Sequence, residues 1–556
     1  MKLQSFMKSA GFVSQHFYEV STSAVNVFFQ RNTVPVIAED LPLLSSLASF
    51  FGANVHSVFL FVDKQFKVEE FLSYSQVITG LSTGLSCSDD VAFLMKDSPF
   101  HFPCLKRLFL TIEADILTQL VEALKIESFF SRGITELSLV FKGCFNGDKG
   151  TVALAEVIKV NSTISILNLQ DNSITNEGAI AIADALKLNS TLSKILLGNN
   201  SIGPEGAIAL AEVLKVNCTV TDVFLQNNFI GNEGAIALAD AFKVNSTITQ
   251  INLSNNCIGP EGAIALTDAF KVNSTITQIF LGNNSIGFEG AIALADAFKV
   301  NSTITKINLT NNSIGFEGAI ALADAFKVNS TITQIFLGNN SIGFEGAIAL
   351  AEVVNVNSSI TDLDLQKNSI GNEGAICLFQ NLKFNSSVTD IHLGKNSIED
   401  EAAIALAETL TINSTVTKIN LGVNCITNLG AITLANQLKI NKSITDIDLG
   451  SNSIDDEGAI ALADVFKANY TVTNVDLGSN SIGDKGAIAF AEMLRLNSTV
   501  SMVDLGCNSI GNVGALALAE GIKDNCSITE LYLWANEFDF EITSSIRRMS
   551  NNRISC

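Results

Sequence analysis

The sequence predicts an α/β solenoid, with parallel strands stacked as one layer and helices as the other. Three observations predict it. Asn recurs at a spacing of 28 residues, without insertion or deletion, from Asn172 through Asn200 and Asn228 to Asn536. Next to each of these asparagines a short stretch alternates polar and apolar residues, as a half-buried strand does. A longer stretch follows in which apolar residues fall at i, i+3, i+4 and i+7, the period of one helical face. A fixed period of this length marks a stack of similar units, each burying its apolar face only against its neighbours.

The unit Lys271–Phe298, KVNSTITQIFLGNNSIGFEGAIALADAF, shows what each part does. Thr277–Leu281 is the strand: Ile279 and Leu281 turn inward, Gln278 and Phe280 to the opposite face. The Asn284 amide both donates and accepts, so it satisfies loop backbone groups buried between units, and in register these side chains form a ladder. Gly287 and Gly290 mark the loop into the helix. In the helix Ala291, Leu294, Ala295 and Phe298 share one buried face, and the alanines keep it close to the strands. Asn273 ends the preceding helix, and Ser274 and Thr275 turn the chain into the next strand. Helices are wider than strands, so the stack curves with its sheet on the concave face.

Ile279-Phe280-Leu281, Asn284, Ile286, Gly287, Glu289, Gly290, Ala291, Leu294 and Ala295 together resemble the ribonuclease-inhibitor subtype of leucine-rich repeats. The resemblance covers about three quarters of the chain. It is nearest to the repeat regions of NOD-like receptors of the C3 type; the ribonuclease inhibitor and the Ran GTPase-activating proteins share the fold. It implies a right-handed horseshoe and a cytosolic or nuclear binding protein.

The ends depart from the period. Residues 1–104 read as an irregular cap region with room for a degenerate repeat; Val55–Val62 reads as a strand and Lys67–Val77 as a helix. The array runs over 105–540. Leu105, Leu108, Leu110 and the stretch Leu117–Lys125 open it as a degenerate unit, and Leu139 and Phe141 follow as strand positions, with Cys144 at the Asn position. Leu531-Tyr532-Leu533-Trp534 is its last strand, covered by Phe538, Phe540 and Ile542. Residues 541–556 form a C-terminal cap and a polar, frayed tail.

The apolar content supports a large core, and no apolar run is long enough for a membrane helix, for which about 18 residues are needed. The N-terminus lacks an apolar segment of the secretory kind. The ten cysteines form no CxxC pair. Cys218 and Cys526 share one repeat position and Cys257 and Cys425 another, as replacements of Ser, which fits a reducing, cytoplasmic setting. Against this stand Asn-x-Ser/Thr sequons at Asn161, Asn189, Asn245, Asn273, Asn301 and onward, read here as by-products of the turn sequence. There is no phosphate-binding GxxxxGK[ST] loop, and the four histidines, His16, His56, His101 and His392, have no Cys or carboxylate at metal-ligand spacing. No catalytic residue, cofactor or metal is expected.

The net charge is −22. Part of it belongs to the helices: Glu205 and Glu289 precede them, Asp184, Glu212 and Asp296 are placed early in them, and Lys187, Lys215 and Lys299 close them, complementing the helix dipole. The concave positions are free of such duties. Four residues before each ladder Asn, the face carries Phe224, Phe280 and Phe336 alternating with Asn, then Asp364, His392, Asp448, Asp476, Asp504 and Tyr532; six before, Asp362, Asp390 and Asp446. With Trp534, these are the candidate partner-binding residues. The Phe stripe invites hydrophobic contact and the acidic ladder a basic protein partner. Lys271–Leu294 is identical to Lys327–Leu350, so duplication alone also accounts for the Phe alternation. Scarce, dispersed Lys and Arg argue against nucleic acid. The function expected is a non-enzymatic protein-binding scaffold, adaptor or regulator, with an immune-type role implied by the resemblance. The alternatives are a GTPase-activating protein resembling the Ran-directed family and a repeat fragment of a NOD-like receptor.

Overall fold

A computed structural model of the chain describes residues 25–28, 59–62, 80–85, 106–113, 134–142, 147–539, 541–543, 546 and 554–555. The chain divides into two compact units, residues 1–258 with 268–276 and residues 259–267 with 277–556.

In the first unit the strand Val25–Phe28 pairs antiparallel with Phe59–Val62. From there the pairing is parallel and follows chain order through Gly80–Leu85, Arg107–Glu113, Glu136–Lys142, Ile166–Asn168, Lys194–Leu196, Asp222–Phe224 and Gln250–Asn252. Helices such as Asn176–Leu186, Pro204–Leu214 and Gly231–Val244 connect successive strands. In the second unit the strands run from Gln278–Phe280 and Lys306–Asn308 to Met502–Asp504 and Glu530–Tyr532, again parallel and in chain order. The register never slips: Ile279 lies opposite Ile307, and Ile307 opposite Ile335. The architecture is an α/β leucine-rich-repeat solenoid.

Three-residue strands suffice because the core lies in the spacing, not in strand length. Ile279, Leu281, Ala291, Leu294, Ala295 and Phe298 are all fully buried, and Ile286 and Ala297 join them. Burying one such Ile, Leu or Phe contributes about 1.5–3 kcal/mol, and every unit repeats the set. Where successive helices both carry Phe at this position the rings can stack, as Phe298 does on Phe326 with ring centroids 6.2 Å apart. Glycine lets neighbouring helices approach: a Cβ on Gly318 would stand 2.9 Å from that of Ala291. Gly315, at φ +68°, takes a left-handed turn that side chains disfavour.

The loop asparagines form the expected ladder. Asn312 Nδ2 donates to the carbonyls of Leu281 and Leu309 at 2.9 and 3.0 Å, while its backbone N–H donates to Asn340 Oδ1 at 2.8 Å. A second ladder, which the sequence reading missed, runs through the helix-ending asparagines. Asn329 Nδ2 donates to the carbonyls of Phe298 and Asn301, and its Oδ1 accepts from Thr331 and Ile332. Each such Asn therefore ends its helix and clamps the neighbouring one.

Several expectations need correction. The helix opens at Gly287, so Gly290 lies in its first turn and not in the loop. Asp184, Glu212 and Asp296 sit near the helix C-termini, not early. There they pair at i,i+3 with Lys187, Lys215 and Lys299 at 2.7, 2.6 and 3.4 Å, so they offset the closing Lys and do not complement the helix N-terminus. The tail is not wholly frayed: Ile554–Ser555 adds a parallel strand beside Glu530–Tyr532, and the Leu533 N–H donates to the Ser555 carbonyl at 2.7 Å. At that end Ile546 is fully buried while Phe538 and Ile542 are half-buried. Gly80–Leu85 is a strand that the sequence reading did not foresee. Leu105, Leu117–Lys125, Cys144, Phe540 and the helix expected over Lys67–Val77 lie outside the described residues.

Candidate protein-binding face

Each strand contributes two outward side chains, its first and third, so the parallel register builds two rows across the sheet. In the second unit the third-position row reads Phe280, Asn308, Phe336, Asp364, His392, Asn420, Asp448, Asp476, Asp504 and Tyr532, each directly opposite the next. The first-position row reads Gln278, Lys306, Gln334, Asp362, Asp390, Lys418, Asp446, Asn474, Met502 and Glu530.

The first-position row changes what the Phe stripe offers. Lys306 Nζ lies 5.7 Å from the Phe280 ring centroid and 5.0 Å from that of Phe336, and Lys194 Nζ lies 4.7 Å from Phe224. All three rings are half-buried. Phe224, Phe280 and Phe336 are thus cation-capped and not a bare apolar stripe, because Lys194 and Lys306 stand over their rings from the neighbouring row.

The acids of the first-position row are also engaged. Lys418 Nζ pairs with Asp390 at 3.0 Å, which raises the lysine's pKa, and Thr389 donates to the same carboxylate. Asp446 accepts from Thr445 and Asn474. Asp362 is pushed up by burial, with His392 Nε2 3.6 Å from its Oδ1 pulling the other way. Asp364 belongs to the other row but is buried, both its oxygens held by Gln366.

Asp448, Asp476 and Asp504 differ. Each Oδ1 accepts only from the backbone N–H of the glycine two residues on, at 2.9, 2.9 and 2.7 Å. Those glycines also leave space for the next unit: a Cβ on Gly450 would stand 2.8 Å from Asp476 Oδ1. The carboxylates therefore lean over backbone and lose water. Burial pushes Asp448 up to about 6, against the Gly450 N–H, with Asp476 and Asp504 adding repulsion. Burial raises Asp476 and Asp504 in the same direction. Among the described residues no ion pair reaches any of the three. Beyond them Tyr532 donates to Glu530 Oε2 at 2.6 Å, which, with burial, pushes its hydroxyl up to about 12. Trp534 follows in the loop, 44 % exposed and lying against Gly506.

The third positions are not wholly free of scaffold duty, contrary to expectation: Asn308 and Asn420 accept the same turn-closing bond, from the N–H groups of Thr310 and Gly422, that the aspartates accept. The face also has a counterpart that went unnoticed. Val300, Val328, Val356 and Phe384 stand 59–77 % exposed at successive helix ends. Among the described residues no His, Cys, Asp or Glu cluster is arranged to hold a metal, and no helix is long and apolar enough to cross a membrane.

The family described as Leucine Rich repeat matches the chain at residues 160–183, 188–211, 216–239, 244–266, 300–323, 356–379, 384–407, 413–435, 441–463, 468–491 and 496–519. No curated protein matches in a whole-sequence comparison. Among solved structures, the actin-binding site 2 of leiomodin-1 is similar at 22 % identity and a TM-score of 0.24, over 28 % of this chain and 88 % of that one. The Rad7 and Elc1 complex in yeast is similar at 14 % identity and a TM-score of 0.40, over 79 % of this chain and 87 % of that one. At those scores neither structure bears on function. The eleven matched segments each span strand, asparagine loop and most of the following helix, and the chain is a leucine-rich-repeat protein.

Proposed function

We propose that the protein is a non-enzymatic scaffold or regulator that binds a basic protein segment on the open face of its sheet, at Asp448, Asp476 and Asp504, with Tyr532 and Trp534 beside them. The observation that carries the reading is the contrast between rows. In the first-position row Asp390, Asp446 and Glu530 already have side-chain donors or a cation, and Asp362 has Gln334 at 3.4 Å and His392 at 3.6 Å, whereas these three carboxylates sit side by side with one backbone N–H each. Three partly desolvated like charges repel, and a Lys or Arg placed against them relieves that repulsion and supplies the missing donors. An exposed indole and a phenol at one end suit the stem of a long cationic side chain. Phosphate groups, by the same electrostatics, are repelled.

Selection of a random peptide library on the purified protein at near-physiological salt tests this. Sequences enriched in Lys and Arg are expected, and their enrichment is lost on D448N/D476N/D504N. Enrichment of acidic or purely apolar peptides would refute the reading.

A further inference from the structure

The recurring Asn-x-Ser/Thr sequons fall into two structurally opposite classes. Those of the helix-ending ladder are buried: Asn245, Asn329, Asn413 and Asn497 are 2–6 % exposed. In each, Nδ2 donates to two carbonyls of the preceding units, as Asn413 does to Leu382 and Asn385 at 2.8 and 3.0 Å. Oδ1 meanwhile accepts two backbone N–H groups, from Thr415 and Val416 at 2.9 and 3.0 Å. Every hydrogen-bonding atom of the amide is in use.

A second class arises where Asn-Asn-Ser closes the sheet loop, at Asn199, Asn283, Asn311 and Asn339. These stand on the exposed loop with φ of 54–57°. Their side chains join only one another or a loop neighbour, as Asn311 Nδ2 to Asn283 Oδ1 and Asn339 Nδ2 to Asn311 Oδ1, both at 2.8 Å. Among the described residues Asn311 Oδ1 is the one acceptor for Asn339 Nδ2, which leaves the second amide hydrogen of this exposed side chain unused. Two further sequons, Asn252 and Asn308, lie half-buried on the sheet face with Oδ1 turned to Ser254 and Thr310.

We propose that N-linked glycosylation compatible with the folded array is confined to the exposed loop class, and that a glycan on any ladder asparagine blocks folding. Transfer from a lipid pyrophosphate-linked oligosaccharide forms an Nδ2–C1 bond. The pyrophosphate leaves with the electron pair of its C1–O bond, and one Nδ2 proton goes to the enzyme's base. On a ladder asparagine the lost hydrogen is one that holds a neighbouring carbonyl, and a sugar has to occupy space filled by packed backbone. On Asn339 the replaced hydrogen faces solvent. The ladder sequons are therefore fold-critical groups that happen to spell an acceptor, and modification and folding compete for the same nitrogen.

The test uses the full chain. It is glycosylated while unfolded, by translation with a cleavable signal into microsomes or by purified oligosaccharyltransferase with its lipid-linked donor. After refolding, protease-resistant and protease-sensitive fractions are separated, and sites are mapped by mass spectrometry after enzymatic deglycosylation in heavy-oxygen water. The resistant fraction is expected to carry glycans at Asn199, Asn283, Asn311 or Asn339 and at least tenfold fewer at ladder positions than the sensitive fraction. Ladder glycans at equal occupancy in the resistant fraction, or a resistant fraction without loop glycans, would overturn the proposal.

Discussion

Asp448 lies directly across the parallel ladder from Asp476, and among the described residues no ion pair reaches either carboxylate. Strands in a sheet stand about 4.8 Å apart, so the repulsion between such neighbours is substantial once water is partly excluded. Burial leaves Asp448 with a pKa of about 6 against an ordinary 3.8.

That relationship gives stability a pH dependence of defined sign. Because the folded state binds the proton more tightly than the unfolded chain, the carboxylate's cost is absent below about pH 4 and grows as pH rises to about 6. D448N removes the charge and keeps the turn-closing bond that Asn420 makes at its equivalent position. A shift of about two units sets a ceiling of about 3 kcal/mol. The variant is expected to be stabilised by about 1–3 kcal/mol at pH 7 and to show little difference from wild type at pH 4. Urea denaturation at the two pH values checks this; a variant destabilised at pH 7 contradicts it.

Asn340 holds the carbonyls of Leu309 and Leu337 at 2.9 and 2.8 Å and receives the Asn312 N–H at 2.8 Å. N340A leaves these buried groups without partners and is expected to cost about 2–4 kcal/mol. Chemical denaturation measures the loss, and one below about 1 kcal/mol would show that water replaces the amide.

Lys306 covers two rings, so K306M removes two cation–π contacts at a cost of about 0.5–2 kcal/mol. Phe280 and Phe336 become more accessible, and binding of a hydrophobic dye should rise. No change in dye binding or stability would mean that the lysine caps nothing.

Near-identical units exchange contacts readily, and the array lacks one dominant core. Calorimetry is expected to give a broad endotherm whose van't Hoff enthalpy falls well below the calorimetric value. Equality of the two enthalpies would establish a single cooperative transition.

Much of the fold was legible because period and burial coincide. The spacing of Asn284 from Asn312 announces the unit, and Ile279, Leu281, Ala291 and Leu294 are buried where alternation and helical periodicity put them. What the period did not show was pairing between rows. Counting back from each Asn to the acids located Asp390 but passed over Lys418, which neutralises it one strand later. Asp184 was misplaced within its helix because the helix begins only at Asn176 and ends at Leu186, leaving the acid in its last turn. Asn273 reads from the sequence only as the end of its helix, since its reach to the Phe242 carbonyl of the preceding unit, at 2.8 Å, exists only once the units stack. The strand Ile554–Ser555 carries no repeat signal at all.

The reading of the open face as an acidic docking row is tested most directly by the salt dependence of binding to a Lys/Arg-rich peptide from the selected pool. Wild type and D448N/D476N/D504N are titrated between about 50 and 300 mM salt, a range over which screening of exposed charges changes markedly. The wild type is expected to bind with an affinity that falls steeply as salt rises, and the triple variant at least tenfold more weakly at low salt with a flattened slope. Equal affinities and equal slopes for the two proteins would remove the row from the binding surface.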